Sequence, residues 1–222
     1  MTSGFSELAR RRKMTRHFLP DPIGDGLLER VLDIARRVPS AGNSQGFDFV
    51  VLRGPIETAR YWDITLPPER RAAFRWSGLL ACPVLVTVWA DPAAYIARYG
   101  EVDKERSGLG SSTEAWSTPY WTVDAAFASL ALQYAALDEG LGVLFFGMFD
   151  HAASVAAALG VPQAHEPVGV VALGWPDQAA EASGGPAASQ HRPRRPLFDD
   201  EPGEAATAAD RPLVHWGHWT GG

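Results

Sequence analysis

A compact run of positive charge stands near the start of the chain. Five cations fall between positions 10 and 16, namely Arg10, Arg11, Arg12, Lys13 and Arg16. The whole chain is acidic, with 20 Lys and Arg against 26 Asp and Glu and a formal net charge of -6. A charge run seen alone is more often a solvated helix face. Guanidinium groups also match phosphate oxygens in bidentate geometry, so the run predicts a site for one small phosphorylated ligand.

Two further features favour that interpretation. A second group of cations, Arg192, Arg194 and Arg195, follows near the other end of the chain. Between the two groups lies the loop "PSAGNSQG", whose side chains suit hydrogen bonding to a flat polar ligand. A plain turn accounts for its proline and glycines, but not for Ser40, Asn43, Ser44 and Gln45 together. We therefore expect the two cationic groups to meet at one phosphate.

Composition limits the possible domain organisation, cellular location and partners. Of the 222 residues, 46% are hydrophobic and 21% charged, which is typical of a soluble globular protein. We expect one domain over 1–222, with a linker and a C-terminal arm over 177–222. The single cysteine, Cys82, forms no intrachain disulfide, and no signal peptide is visible, so we expect a cytoplasmic protein. The acidic balance argues against nucleic acid, no apolar run suits a membrane helix, and the six histidines lack metal-ligand spacing.

The elements that must position these residues follow from periodicity. Apolar residues at helical spacing predict helices over 25–38, 122–139, ending at Gly140, and 150–160, with Asp150 as a possible N-cap. In the second helix the apolar stripe consists of Val123, Phe127, Leu130, Tyr134 and Leu137. Short β-rich runs predict strands at 47–54, 83–90, 143–147 and 167–174. The run at 83–90 is almost wholly apolar and suits a strand covered on both faces.

Two stretches have weaker patterns. Periodicity fades from 92 to 120 while aromatic residues accumulate, which is typical of a lid or a binding loop. Residues 177–190 have the low complexity of a linker. Because strands and helices alternate elsewhere, the class is α/β or α+β.

Four blocks, in order, resemble the FMN-dependent nitroreductase-like flavoproteins. The first is the basic block from Arg12 to Phe18, and the second is the loop from Pro39 to Phe49. The third is the long helix leading to "EGLGVLFFGMF", and the fourth joins "PVGVVALGWP" to "RPRRPL". Together they span roughly residues 8 to 198, and their order and spacing make the set fairly specific.

The resemblance implies an α+β fold in which helices wrap a mainly antiparallel central sheet, with an extended C-terminal arm. It implies a homodimer with FMN at the subunit interface. Arg12, Lys13 and Arg16, with Arg192 and Arg194, would hold the phosphate and the pyrimidine edge. Ser40 and Gln45 would reach the same flavin from the neighbouring subunit, and an N–H near Gly147 and Met148 would face N5. The residues assigned to the cofactor are Arg12, Lys13, Met14, Arg16, Pro39, Ser40, Asn43, Gln45, Gly147, Met148, Arg192 and Arg194.

The implied activity is ping-pong reduction by NAD(P)H of a small organic acceptor such as a nitroaromatic, a quinone or an activated alkene. The flavin carries the electrons, so no protein group is assigned as catalytic. Two alternatives stay open within the resemblance. One is an FMN-dependent oxidase, dehydrogenase or flavin-consuming enzyme of a biosynthetic pathway, and the other is a flavin-binding protein without turnover. A structural or nucleic-acid role for the arginines is a fourth.

Overall fold

The computed structural model describes residues 4–183, 194–198 and 212–219. Residues up to Gly185 form one compact unit and those from Pro186 form a second. The first unit contains four strands, β1 (Phe47–Arg53), β2 (Val84–Ala90), β3 (Gly142–Phe146) and β4 (Glu166–Gly174). Its helices are α1 (Phe5–Arg11), α2 (Asp25–Ala35), α3 (Gly54–Thr65), α4 (Pro68–Arg71), α5 (Pro92–Tyr99), α6 (Tyr120–Asp138), α7 (Ala152–Leu159) and α8 (Gln178–Ala182).

The strands form one sheet in the order β1-β2-β4-β3, and every neighbouring pair is antiparallel. The predicted α+β class with a mainly antiparallel sheet is therefore confirmed. The apolar run at 83–90 is the central strand β2, and all seven of its residues are buried.

Both faces of the sheet are covered, as the composition of β2 requires. Val84, Val86 and Val88 belong to an apolar cluster shared with α2 and α6. Leu85 and Trp89 belong to a second cluster that includes residues of α3 and α7. Successive side chains of a strand point to opposite faces, so an uninterrupted apolar sequence fills two cores at once.

Helix α6 does not bury all of the apolar stripe that its sequence predicts. Phe127 and Leu130 are 46% and 43% exposed, whereas Ala125, Ala128 and Leu132 are fully buried. Small side chains allow α6 to approach α2 and the sheet closely. Phe127 and Leu130, by contrast, are left on the surface of the subunit.

Several local predictions were wrong. Residues 92–99 form helix α5 rather than the start of a loop, and Asp91 caps it by accepting a hydrogen bond from the N–H of Ala93. Asp150 is not the N-cap of α7, since it lies inside a short turn over Phe149–His151. The first part of the predicted linker is helix α8, which Asp177 caps. None of the helices among the described residues has both the length and the apolarity needed to cross a bilayer.

In the second unit, the two described stretches contact each other. Leu213 and Val214 donate backbone hydrogen bonds to the carbonyls of Pro196 and Leu197. The rings of Phe198 and Trp216 stack with their centroids 5.7 Å apart. The prediction that 1–222 form a single domain stays a prediction.

Candidate functional site

The basic block is an extended segment that crosses one end of the sheet. Thr15 N–H donates to the carbonyl of Val143 at 2.8 Å, and Leu19 N–H donates to the carbonyl of Trp175, also at 2.8 Å. Phe18 is buried beside Gly174, where a Cβ would lie 2.9 Å from its ring. The segment is thus fixed where β3 begins and β4 ends, with Phe18 as its apolar anchor.

Neighbouring side chains of this segment lie in different surroundings. Lys13 and Thr15 line a cavity of about 490 Å³ that also contains Glu181. Lys13 Nζ lies 3.8 Å from Glu181 Oε2. Met14, between them in sequence, instead packs against the apolar cluster that covers the other face. Lys13 therefore lies beside Glu181, and the assignments of Arg12, Lys13 and Arg16 to the FMN phosphate stay predictions.

One guanidinium nitrogen of Arg12 is available to bind a ligand. Its Nη1 is buried and has no hydrogen-bond partner among the described residues. Arg16 Nη1 donates only weakly, to the carbonyl of Met14 at 3.3 Å. A buried polar group without a partner is costly, and a guanidinium is well shaped to bind phosphate. These two side chains therefore fit the phosphate end of FMN.

The polar loop is a tight, strained turn. Ser40 Oγ accepts from the N–H of Gln45 at 2.9 Å, and Gln45 Nε2 donates to Asn43 Oδ1 at 3.2 Å. Asn43 and Gln45 have φ values of 56° and 51°, in the left-handed region that non-glycine residues seldom adopt. Such strain is more common at functional sites than elsewhere, and the assignment of Ser40, Asn43 and Gln45 to the flavin stays a prediction. Pro39 directly precedes this turn.

Buried contacts that the sequence analysis did not identify hold the loop. Asp124, on α6, is 3% exposed, and its Oδ2 accepts from the N–H of Ala41 and from Tyr95 Oη, each at 2.7 Å. Burial raises the pKa of Tyr95 far above its ordinary value, and the hydrogen bond to Asp124 raises it further. Arg98 Nε donates to the carbonyl of Gly42 at 2.9 Å. The sequence signal that could have identified Asp124 is a carboxylate among the apolar residues of α6.

The turn at Gly147 and Met148 follows β3 directly. Met148 is buried, whereas the next residue, Phe149, is 82% exposed and has a φ of 47°. A Cβ on Gly147 would lie 3.3 Å from the Phe149 ring, so the ring lies over this glycine. A bulky residue that is both exposed and left-handed is unusual.

Within one subunit, the basic segment and the polar loop lie at opposite ends of the sheet. Phe47, next to the loop, pairs with Ala90 at the end of β2, while the basic segment lies beyond Leu173, which pairs with Val84 at its start. The seven residues of β2 span about 20 Å. Of the second cationic group, Arg194 is exposed in the second unit and Arg192 lies outside the described residues.

Comparison with known proteins identifies the family. A sequence model of the nitroreductase family matches residues 9–175. The chain is 32% identical over 186 residues to the 5,6-dimethylbenzimidazole synthase of Rhodospirillum rubrum, covering 78% of this chain and 82% of that protein. It is 28% identical over 186 residues to the NADH dehydrogenase of Thermus thermophilus, covering 76% and 84%.

Solved structures agree in fold. A nitroreductase family protein of Streptococcus pneumoniae has a TM-score of 0.62 and 23% identity, covering 79% of this chain and 92% of that one. A protein of Exiguobacterium sibiricum solved in complex with FMN has a TM-score of 0.64 and 18% identity, covering 86% and 94%. The family match extends from the basic segment through β4. The chain therefore belongs to the nitroreductase family, whose members are FMN-dependent oxidoreductases.

Proposed function

We propose that this FMN-dependent oxidoreductase uses NAD(P)H to reduce a small organic acceptor such as a nitroaromatic, a quinone or an activated alkene. The observation that carries the proposal is the buried, unpartnered Nη1 of Arg12. Among the described residues this nitrogen has no hydrogen-bond partner, and it lies on a segment rich in cations in an otherwise acidic chain, an environment that suits a single phosphorylated cofactor.

The roles of the chain's own residues are binding and orientation. Arg12 and Arg16 would hold the phosphate, with Arg192 and Arg194 as further candidates from the C-terminal arm. The main chain at Gly147 and Met148 would orient the ring system. FMN supplies the electron-transfer chemistry, since proteins provide binding, orientation and electrostatics to such cofactors.

The separation of the two halves of the proposed site supports a homodimer. The polar loop lies about one strand length, roughly 20 Å, from the basic segment of the same subunit, so we propose that Ser40 and Gln45 serve the partner's flavin. The exposed apolar side chains of α6 support this, because Phe127 and Leu130 are 46% and 43% exposed in one subunit. Light scattering of purified protein should give twice the mass of one chain, and a monomer at micromolar concentration would contradict the assignment.

The cofactor and the reaction are tested together by spectroscopy. Purified protein should be yellow, or should bind added FMN with quenching of its tryptophan fluorescence. Rapid mixing with NADPH or NADH should bleach the flavin bands, and a nitroaromatic or quinone should restore them. Colourless protein whose fluorescence is unchanged by FMN would refute the proposal at its first step.

A second candidate is supported by one comparison. The 32% identity to a 5,6-dimethylbenzimidazole synthase favours a flavin-consuming biosynthetic reaction as the alternative. Incubation of the protein with reduced FMN and dioxygen, followed by mass spectrometry, distinguishes the two. Formation of dimethylbenzimidazole favours the alternative, whereas repeated reduction of the acceptor with the flavin intact favours the reductase. Bleaching without turnover of any acceptor would instead favour a flavin-binding protein.

A further inference from the structure

Glu181 makes an unusual contact with the basic segment. One oxygen of its carboxylate, Oε1, accepts hydrogen bonds from the main-chain N–H groups of both Arg16 and His17, at 2.7 and 2.9 Å. Its side chain is only 13% exposed. Two successive N–H groups that converge on one oxygen form a small anion-binding concavity, so the carboxylate fills a main-chain anion site on the segment that carries Arg12 and Arg16.

Glu181 accepts its hydrogen bonds from main-chain N–H groups, so the guanidinium groups of Arg12 and Arg16 remain available to bind the phosphate. Glu181 also pairs with Lys13, but at 3.8 Å and with Lys13 68% exposed, a geometry in which an ion pair contributes little. Arg12 Nη1 has no partner among the described residues, and Arg16 Nη1 donates only to the carbonyl of Met14. The hydrogen bonds of Glu181 thus act on the backbone that carries these side chains.

Helix α8 is placed to keep this carboxylate in position. Asp177 caps the helix through a 3.0 Å hydrogen bond from the N–H of Ala180. The N–H of Asp177 donates to the carbonyl of His17 at 3.0 Å. Hydrogen bonds of Asp177 and Glu181 therefore tie α8 and its cap to the basic segment, across 160 to 165 residues of sequence.

We propose that Glu181 is a positioning residue for the FMN phosphate. By holding the main chain at Arg16 and His17, it fixes the backbone from which Arg12 and Arg16 present their guanidinium groups. Its essential property is the hydrogen-bond acceptor rather than the negative charge, which itself disfavours a nearby dianion. This inference rests on the proposed flavin site and assigns a residue to the support of that site.

The experiment compares E181A and E181Q, with Q178A as the control from an exposed position of the same helix. FMN and riboflavin are titrated against each protein, and thermal unfolding is recorded without flavin. E181A should weaken FMN binding by about tenfold or more, the effect of losing hydrogen bonds to a charged group. E181Q keeps an acceptor oxygen for both N–H groups and removes a negative charge that disfavours the dianion, so its FMN affinity should stay within about threefold of the parent. Q178A should match the parent.

Riboflavin separates positioning from general damage, because it lacks the phosphate. E181A should therefore affect FMN much more than riboflavin. If E181A does not fold, E181D, whose side chain is shorter by one methylene, should show the FMN loss that E181Q does not. Parent-like FMN binding by E181A, or equal losses for FMN and riboflavin, would overturn the role of Glu181 alone. A parent protein that binds no FMN would overturn the flavin site itself and this role with it.

Discussion

Removal of the Asp124 carboxylate should destabilise the protein strongly. Asp124 accepts two hydrogen bonds of 2.7 Å and is 3% exposed. Hydrogen bonds to charged groups contribute about 1.5–3 kcal/mol each, and removing the acceptor leaves the donors unsatisfied. D124A leaves the N–H of Ala41 and the hydroxyl of Tyr95 without this partner, so we expect a loss of about 3–6 kcal/mol. That is a large part of the roughly 5–15 kcal/mol typical of a domain.

D124N should cost less, because its amide oxygen remains an acceptor of similar size. Neutral hydrogen bonds contribute about 0.5–1.5 kcal/mol each, which places D124N between D124A and the parent. The polar loop should lose order when Asp124 no longer holds it, so FMN affinity should fall slightly in D124N and more in D124A.

Chemical denaturation of the flavin-free protein measures these losses, and FMN titration measures the effect on the loop. The matched control is D138A, an exposed carboxylate near the other end of α6, which should change stability by no more than about 0.5 kcal/mol. Equal unfolding free energies for D124A and the parent would refute the anchoring role. A stability loss without any change in FMN affinity would refute the link from this anchor to the flavin.

Three further results are expected. R12A should weaken FMN binding by about 1.5–3 kcal/mol without destabilising the flavin-free protein, because Arg12 Nη1 has no partner within the described part of the chain. The exposed R10A is the control, and equal FMN affinities of R12A and the parent would contradict the assignment. Burial raises the pKa of Cys82 to about 12, so above about pH 8.5 the thiol loses its proton in the unfolded state but keeps it in the folded state, and the free energy of unfolding falls by up to about 1.4 kcal/mol per pH unit. Denaturation of the parent and of C82A from pH 7.5 to 9.5 should show a shallower fall in C82A. Identical slopes for the two proteins would contradict this. F149G relieves a left-handed φ of 47° and should not lower the melting temperature. A clear loss of stability would show that the packing of the exposed ring contributes more than the strained backbone costs.

Short-range patterns in the sequence were sufficient for most elements. The apolar run at 83–90 predicted a strand covered on both faces, and β2 is such a strand. Gly140 and Gly160, with φ values of 84° and 71°, end their helices as glycine permits. The family resemblance rested on the same kind of local information, since its blocks are short motifs in a fixed order.

The surface that a helix buries was not decided by its largest residues. The stripe through Phe127 and Leu130 has clear helical spacing, but α6 packs through alanines because the sheet and α2 approach it closely. Spacing shows which residues share a face. It does not show which face meets the rest of the subunit.

Sequence alone determined the chemistry of the site, through the cations of the basic block and the amides and hydroxyls of the polar loop. Tertiary structure decided the arrangement: Lys13 lies with Glu181, and the polar loop lies a strand's length from Arg12. It also revealed the supports of the site, since Asp124 contacts Ala41 across 83 positions and Glu181 contacts Arg16 across 165. Residue type fixes what a side chain can bind. Contacts across such separations depend on how the whole chain closes around its sheet, and no local pattern encodes them.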